Sequence, residues 1–318
     1  PRPAGARVTA ADITAPPPAR PASRRFDALR RFLARRDGAL GLGILLVFTI
    51  VAIAPALFVG PLETVVSATG LPLDPPSGEH LLGTDELGRD MLNLTFHGAR
   101  ITMLIGLLAT LITVFLGATM GIVSGFVGGK LDALLMRIAD FFLVLPTVVL
   151  ALILAPVMLD VIGAGAEFGG IRATLVVVVV VIGLTSWAAT ARVIRSQVLS
   201  IKERMFVDRA RAVGSGAGHI MRHHILPNVV NLIVAQSVLT FAAAVFTETT
   251  LAFIGLGDPS APSWGQILNN AQEAGAPGLG AWWYIVPPAA CVVLVVLAFT
   301  LVGNALDDML NPKGRDRR

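Results

Sequence analysis

His219 closes a Gly-rich run, GSGAGH at 214–219, and His223 and His224 follow within the same basic stretch. These are the side chains whose types and spacing come nearest to chemistry. His219 and His223, four apart, would share a helical face as metal ligands, and a Gly-rich turn is one way to cradle a phosphate. Neither chemistry is completed. No Lys-Ser or Lys-Thr follows the glycines and no strand precedes them, and no Glu or Cys finishes a zinc site. A solvated basic loop accounts for all three histidines. Thr185 and Ser186 lie in an apolar stretch with no His or Lys in register to activate a hydroxyl. The single Cys291 excludes an intrachain disulfide and a Cys cluster. Ionisable residues inside apolar stretches are functional by default because each is costly there, and few are present. Arg137 and Asp140, three apart, read as a local ion pair; Glu248 either lines an aqueous path or reaches the outer headgroups. No chain of carboxylates suited to proton relay crosses the apolar segments. Nothing reads as catalytic, and no cofactor or metal is expected on this chain.

The elements that carry these residues are set by composition. With 54% hydrophobic and 14% charged residues and a mean hydropathy of +0.74, the chain lies far from the average of water-soluble proteins. Its apolar residues come in blocks of bilayer-spanning length, about 20 residues for a helix. Six blocks are expected as spans, near 39–60, 101–129, 133–159, 173–191, 229–250 and 282–303. They lack the alternation of barrel strands, so backbone hydrogen bonding in lipid requires helices. The fold class is an all-α polytopic membrane protein with six transmembrane helices.

Lys and Arg are retained on the cytoplasmic side. The N-terminal part to Asp37 carries nine Arg, the 192–227 loop seven Lys or Arg, and the part after Asn311 four. Both ends and the 192–227 loop are therefore expected inside, and the loops 61–99, 160–172 and 252–281 outside. The Pro-rich segment 1–22 reads as a disordered tail. Residues 23–37 place Phe26, Leu29 and Leu33 on one face amid Arg, the pattern of a helix lying in the headgroup plane or a basic flank that orients the first span. The membrane body is then 38–312, and 313–318 a second short tail. The first block is too long and begins too late for a cleaved signal peptide. Small residues in GALGLG, 38–43, suit close helix packing.

Outer-loop punctuation is legible. Thr84 or Asp85 starts a turn, Asp90 caps a helix from Met91 to Phe96, and Ser263 with Gln266 forms a capping box for a helix from Trp264 to about Ala274. Trp282, Trp283 and Tyr284 mark an aromatic belt. On the inner side, residues 203–213 are good helix formers, Gly214 suits the C′ position, Ser215 is placed to cap a second helix, and Pro227 to begin the fifth span. The product is a short helix-turn-helix outside the bilayer, with Arg209, Arg211 and Arg222 beside small Ala210, Ala212 and Gly214. It is a surface for a cytoplasmic partner or simply a positively charged loop.

The spacing from Asp208 through Ala210 and Gly214 to Leu226, Pro227 and Asn228 resembles the EAA signature of bacterial ABC importer permeases. Asp208 stands where Glu is usual, and Arg209 where the first Ala of the following pair is usual. HLLGTDELGRD, LAFIGLGDPSAPSWGQIL and AWWYIVPPAACVVLVVLAFTLVGNALDDMLNPK resemble the second, C-type permease of the dipeptide, oligopeptide and nickel importer group. The resemblance runs from about Phe26 to Pro312. It implies a type I ABC importer permease bundle in the bacterial cytoplasmic membrane, forming half of a translocation pathway for di- or oligopeptides. It also implies a second homologous permease, two cytoplasmic ATPase subunits that bind ATP and Mg, an extracytoplasmic substrate-binding protein, a lipid bilayer, and no nucleic acid. The coupling loop would comprise Phe206, Asp208, Arg209, Ala210, Arg211, Ala212, Gly214, Ser215, Leu226 and Pro227. Asp85, Arg89, Asp90, Glu248, Trp264 and Gln266 would contact the binding protein or form an outer gate. Nickel or another small solute is the alternative cargo; a secondary transporter or intramembrane enzyme would need activity independent of an ATPase.

Overall fold

A computed structural model describes residues 32–163 and 165–310. The expected tails at 1–22 and 313–318, and most of the basic segment at 23–37, lie outside the described residues. Helix α1, Arg36–Ile53, stops earlier than the expected 60 because Ala54 leaves helical geometry ahead of Pro55, consistent with the restriction that proline places on its predecessor. A one-turn helix, α2, Ala56–Val59, follows. Helix α3 runs unbroken from Met91 to Val127, so the expected cap helix and second span are one element.

The third block is not a single rod. It divides into α4, Gly129–Val144, and α5, Thr147–Ile162, bent by 95°. Leu145 is extended before Pro146, which is the backbone that X-Pro favours. A two-stranded hairpin, β1 Glu167–Phe168 and β2 Ile171–Arg172, leads into α6, Ala173–Lys202. The expected fourth span ended at 191; the helix continues for three more turns beyond the apolar block.

The remaining elements are α7, Met205–Ala212, and α8, Ala217–Ile220. A π-helical turn at Met221–Ile225 joins α8 to α9, Leu226–Leu251. The chain closes with α10, Trp264–Glu273, and α11, Trp282–Leu310. Pro227 was expected to make a joint at the start of the fifth span, yet the helical course runs from Ala217 to Leu256. A proline lacks the N–H of an i→i−4 bond and its ring crowds that carbonyl; the wider π turn just before it provides room. Asn228 Nδ2 donates to the His224 carbonyl at 2.7 Å. Five helical segments are long and apolar enough to cross a bilayer, or six with the α4–α5 pair counted as one span.

Helices α3 and α6 form the spine, packed along most of their length. Gly117, Gly121 and Gly125 make this possible: a Cβ at Gly121 would lie 2.6 Å from the Ala191 carbonyl oxygen, and one at Gly117 2.7 Å from Thr190 Cβ. Gly41 does the same for α1 against α11, 2.8 Å from the Ala298 oxygen, so the small residues of 38–43 do serve packing. A Cβ at Gly43 would meet nothing among the described residues. Large apolar side chains such as Leu46, Phe115, Val144 and Val293 are exposed around the bundle, as expected for a lipid-facing surface.

Candidate functional site

Helix α7 sits across one end of the bundle, anchored chiefly by Val207. Val207 is fully buried with Ile194, Val198, Ile201, Ile220 and Ile225, and Phe206 and Ala210 pack against the same cluster. The residues between point away: Asp208, Arg209, Arg211 and Ala212 are exposed, and Met205 and Val213, at the two ends of the helix, are 71% and 87% exposed. Arg211 lies over the Phe126 ring of α3, 5.6 Å from its centroid, and 3.3 Å from Asp208. α7 is thus an amphipathic helix with its apolar stripe spent on its own bundle and a mixed polar and apolar face left free.

Gly214 terminates α7. Its φ is +87°, the Ser215 N–H donates to the Ala210 carbonyl at 3.0 Å and the Gly214 N–H to the Arg211 carbonyl at 2.9 Å. That pair of bonds is a Schellman motif with Gly214 at C′. Ser215 completes it and does not cap α8 as expected; Gly216 takes the N-cap position, with no side-chain cap. Leu226 and Pro227 lie in the helical turn that follows the π segment. Phe206 reaches back to His224, with ring centroids 6.2 Å apart. His219 and His223 stack at 4.2 Å, and among the described residues no three His, Cys, Asp or Glu side chains are grouped to hold a metal.

Two ion pairs brace this end. Arg195 of α6 makes a bidentate fork with Asp132 of α4, both bonds 2.6 Å. Asp140 pairs with Arg192 of α6 and not with Arg137, its expected partner three residues away. These pairs explain how α6 extends past its apolar block: its charged last turns are tied to α4.

At the opposite end the six residues read as contact or gate groups are brought together, but mostly inward. Asp85 is fully buried; it accepts from Leu87 N, Arg89 N and Arg89 Nε at 2.9, 2.8 and 2.6 Å, which folds the 85–89 turn. Asp90 caps α3 by accepting from Leu92 N and Asn93 N at 2.7 and 3.0 Å, and lies 2.9 Å from His80 Nδ1. Trp264 is fully buried, donating from Nε1 to the Thr95 carbonyl at 2.9 Å and from its backbone N–H to Thr102 Oγ1 at 3.0 Å. Ser263 Oγ accepts from Gln266 N at 3.2 Å, but the Gln266 side chain turns to Asn270, so only half of the expected capping box forms. Glu248 is enclosed by protein within this chain, beside Thr249. Asp85, Trp264, Gln266 and Glu248 therefore present almost no surface for a partner. They hold the outer loops in place.

The aromatic belt is corrected in the same way. Trp282 is exposed, whereas Tyr284 is fully buried and bonded to Glu86, and Trp283 Nε1 donates to the Thr84 carbonyl at 3.2 Å. α11 thus clamps the 84–90 turn to the bundle. Because Asp90 satisfies two N–H groups at the start of a 37-residue helix, Asp90→Ala is expected to destabilise the protein by about 1–2 kcal/mol, read as a lower melting temperature in detergent. Asp90→Asn keeps an accepting oxygen and should restore most of the loss; equal losses in both would place the effect in the His80 contact.

The sequence comparisons agree with this geometry. Residues 117–316 match the family described as "Binding-protein-dependent transport system inner membrane component". This stretch includes α6 to α9. The dipeptide transport system permease protein DppC of Bacillus subtilis is 36% identical over 294 residues, covering 91% of this chain and 86% of the relative. The oligopeptide transport system permease protein OppC of the same organism is 32% identical, covering 91% and 90%. The di/tripeptide transport system permease protein DppC of Pseudomonas aeruginosa is 35% identical, covering 88% and 89%. With one family match across most of the bundle and relatives aligned along nearly its full length, the chain belongs to the inner membrane components of binding-protein-dependent transport systems.

Proposed function

We propose that this chain is the C-type permease subunit of an ATP-driven importer of di- and oligopeptides, working beside a second, homologous permease. The single observation that carries the coupling role is α7: it is anchored by Val207, keeps Asp208, Arg209 and Ala212 exposed, and lies in the segment matched to the family. The peptide cargo rests on the relatives, whose names specify dipeptide, oligopeptide and di/tripeptide transport. ATP and Mg belong to two cytoplasmic ATPase subunits in this reading, and this chain binds neither. The basic α7 end and both termini face the cytoplasm, and the hairpin end faces out.

Coupling then follows from connectivity. Only Glu203 and Arg204 separate α6 from α7, and four residues separate α7 from the long course of Ala217–Leu256. A partner that pulls on α7 pulls on both helices, one of them the spine of the bundle. Closure of an ATPase dimer would bind α7 differently in two states and so shift the bundle between inward-open and outward-open forms. At the outer end the binding protein would meet exposed Leu71, Leu81 and Leu87, carried by the turn that Asp85, Arg89 and Asp90 fold.

The test is ATP hydrolysis by the chain purified in lipid with its neighbouring permease, ATPases and binding protein. Stimulation several-fold by short peptides is expected. A response to nickel alone would replace the cargo, and failure to recruit an ATPase would overturn the whole reading.

A further inference from the structure

At the end opposite α7, the first turns of α6, the outer part of α3, the β1–β2 hairpin and the loop after α9 line an open-sided cavity of about 650 Å³, within the range of small-molecule sites. Its wall is largely apolar, with Leu104, Leu108 and Val179 among its lining residues. Asp258 also lines it, and this carboxylate is only half satisfied. Oδ1 accepts from Ser260 N and Oγ at 2.9 and 2.7 Å and lies 3.5 Å from Arg172 Nη1. Oδ2 is buried and has no partner among the described residues, on a side chain only 1% exposed. A buried carboxylate oxygen without a donor is costly, and its natural complement is a cation carrying several N–H donors. The other charged groups lining the cavity are Arg100, Arg172 and Glu167, while His97 is engaged with the Gly60 carbonyl. Apart from the 3.5 Å Arg172 pair, the cations leave Asp258 without a close counter-ion.

We propose that this cavity is a subsite for the free α-ammonium end of a short peptide, with Asp258 as its counter-ion and the apolar wall receiving the side chains. The proposal rests on the reading of the chain as a peptide-importer subunit, and it adds a residue of this chain that selects for a charged amino terminus during passage. Arg172, half exposed on its hairpin, is the internal cation that competes for the same carboxylate.

The experiment uses the assembled transporter in lipid nanodiscs without its binding protein. Radiolabelled alanyl-phenylalanine amide, which carries only the ammonium charge, is compared with its N-acetyl counterpart in equilibrium binding. The charged probe is expected to bind about tenfold more tightly, the scale of one charge-assisted hydrogen bond. Asp258→Asn should erase the difference. Arg172→Gln, which leaves the Ser260 bonds of the loop intact, should widen it by removing the competitor; this keeps the idea falsifiable if the Asn variant fails to fold. Equal binding of the two probes by the wild type would overturn the subsite, as would a preference unchanged in Arg172→Gln and in a folded Asp258→Asn protein. ATP-driven uptake of alanyl-phenylalanine, measured in parallel with the binding protein present, separates the two readings. Uptake without a probe preference sinks the subsite and leaves the importer; a preference abolished by Asp258→Asn without uptake sinks the importer and leaves the subsite.

Discussion

Gly214→Val is expected to reduce peptide-driven uptake by more than tenfold while the protein still inserts and its ATPase partners remain active. The reason lies in the backbone. Gly214 holds φ at +87° to close the Schellman motif, and a non-glycine residue there costs roughly 1–2 kcal/mol, more for a β-branched one. A Cβ at Gly214 would touch nothing among the described residues, so the strain is not relieved by repacking and not worsened by a clash. The cheapest escape is for α7 to unravel or swing at its C-terminus, which disturbs the partner-facing surface between Met205 and Val213. Gly214→Asn supplies the control, since Asn tolerates the left-handed region. If backbone conformation is what matters, Asn should keep at least half of the uptake. If both variants fail alike, the glycine is there because a partner's surface approaches it closely. Uptake by Gly214→Val equal to that of the wild type would remove α7 from the coupling path.

How much of this was readable beforehand depends on which force writes the signal. Hydropathy reports the bilayer, so all six apolar blocks are visible in the sequence. It does not report helix length. α3 begins at Met91 because Asp90 caps it and Asn93 bonds the carbonyls of Val59 and Pro61 at 2.9 and 2.8 Å; these polar residues depress hydropathy without ending a helix. α6 runs on to Lys202 because Arg192 and Arg195 find carboxylates on α4, a pairing across more than 50 residues that no local pattern records. The bend before Pro146 is local, and the X-Pro rule would have marked it. Pro227 shows the converse, a local rule set aside when a π turn made room. For α7, Gly214 and the cap were readable because a left-handed C′ residue is a local requirement. The outer residues were identified correctly as ordered, but their burial was not. Trp264 and Tyr284 read as surface aromatics until the contacts with Thr95, Thr102 and Glu86 place them inside.

The Gly117, Gly121, Gly125 stripe was available in the sequence as small residues four apart, the spacing that lets helices approach in a membrane. It leads to the largest expected structural effect: Gly121→Ile should abolish recovery of folded protein, read as loss of the monodisperse peak in detergent chromatography of a fluorescent fusion. A Cβ at this position would stand 2.6 Å from the Ala191 carbonyl and 3.0 Å from Ile194 Cβ. The first neighbour is helix backbone, which cannot rotate away as a side chain can. Overpacking a core costs about 1–3 kcal/mol where side chains can adjust; here α3 and α6 must separate, and the valine-rich contacts above and the Ile194–Val198 cluster below separate with them. The matching change on the exposed side, Gly43→Ile, meets nothing within 4 Å, and its folded yield should stay near that of the wild type. The two variants add the same side chain to helices of the same protein, so a general intolerance of isoleucine would lower both yields. Loss confined to Gly121→Ile would tie it to the spine through which α7 must act. That spine joins both ends of the molecule: α6 is linked through two residues to α7 at one end, and α6 and α3 both contribute to the wall of the Asp258 cavity at the other.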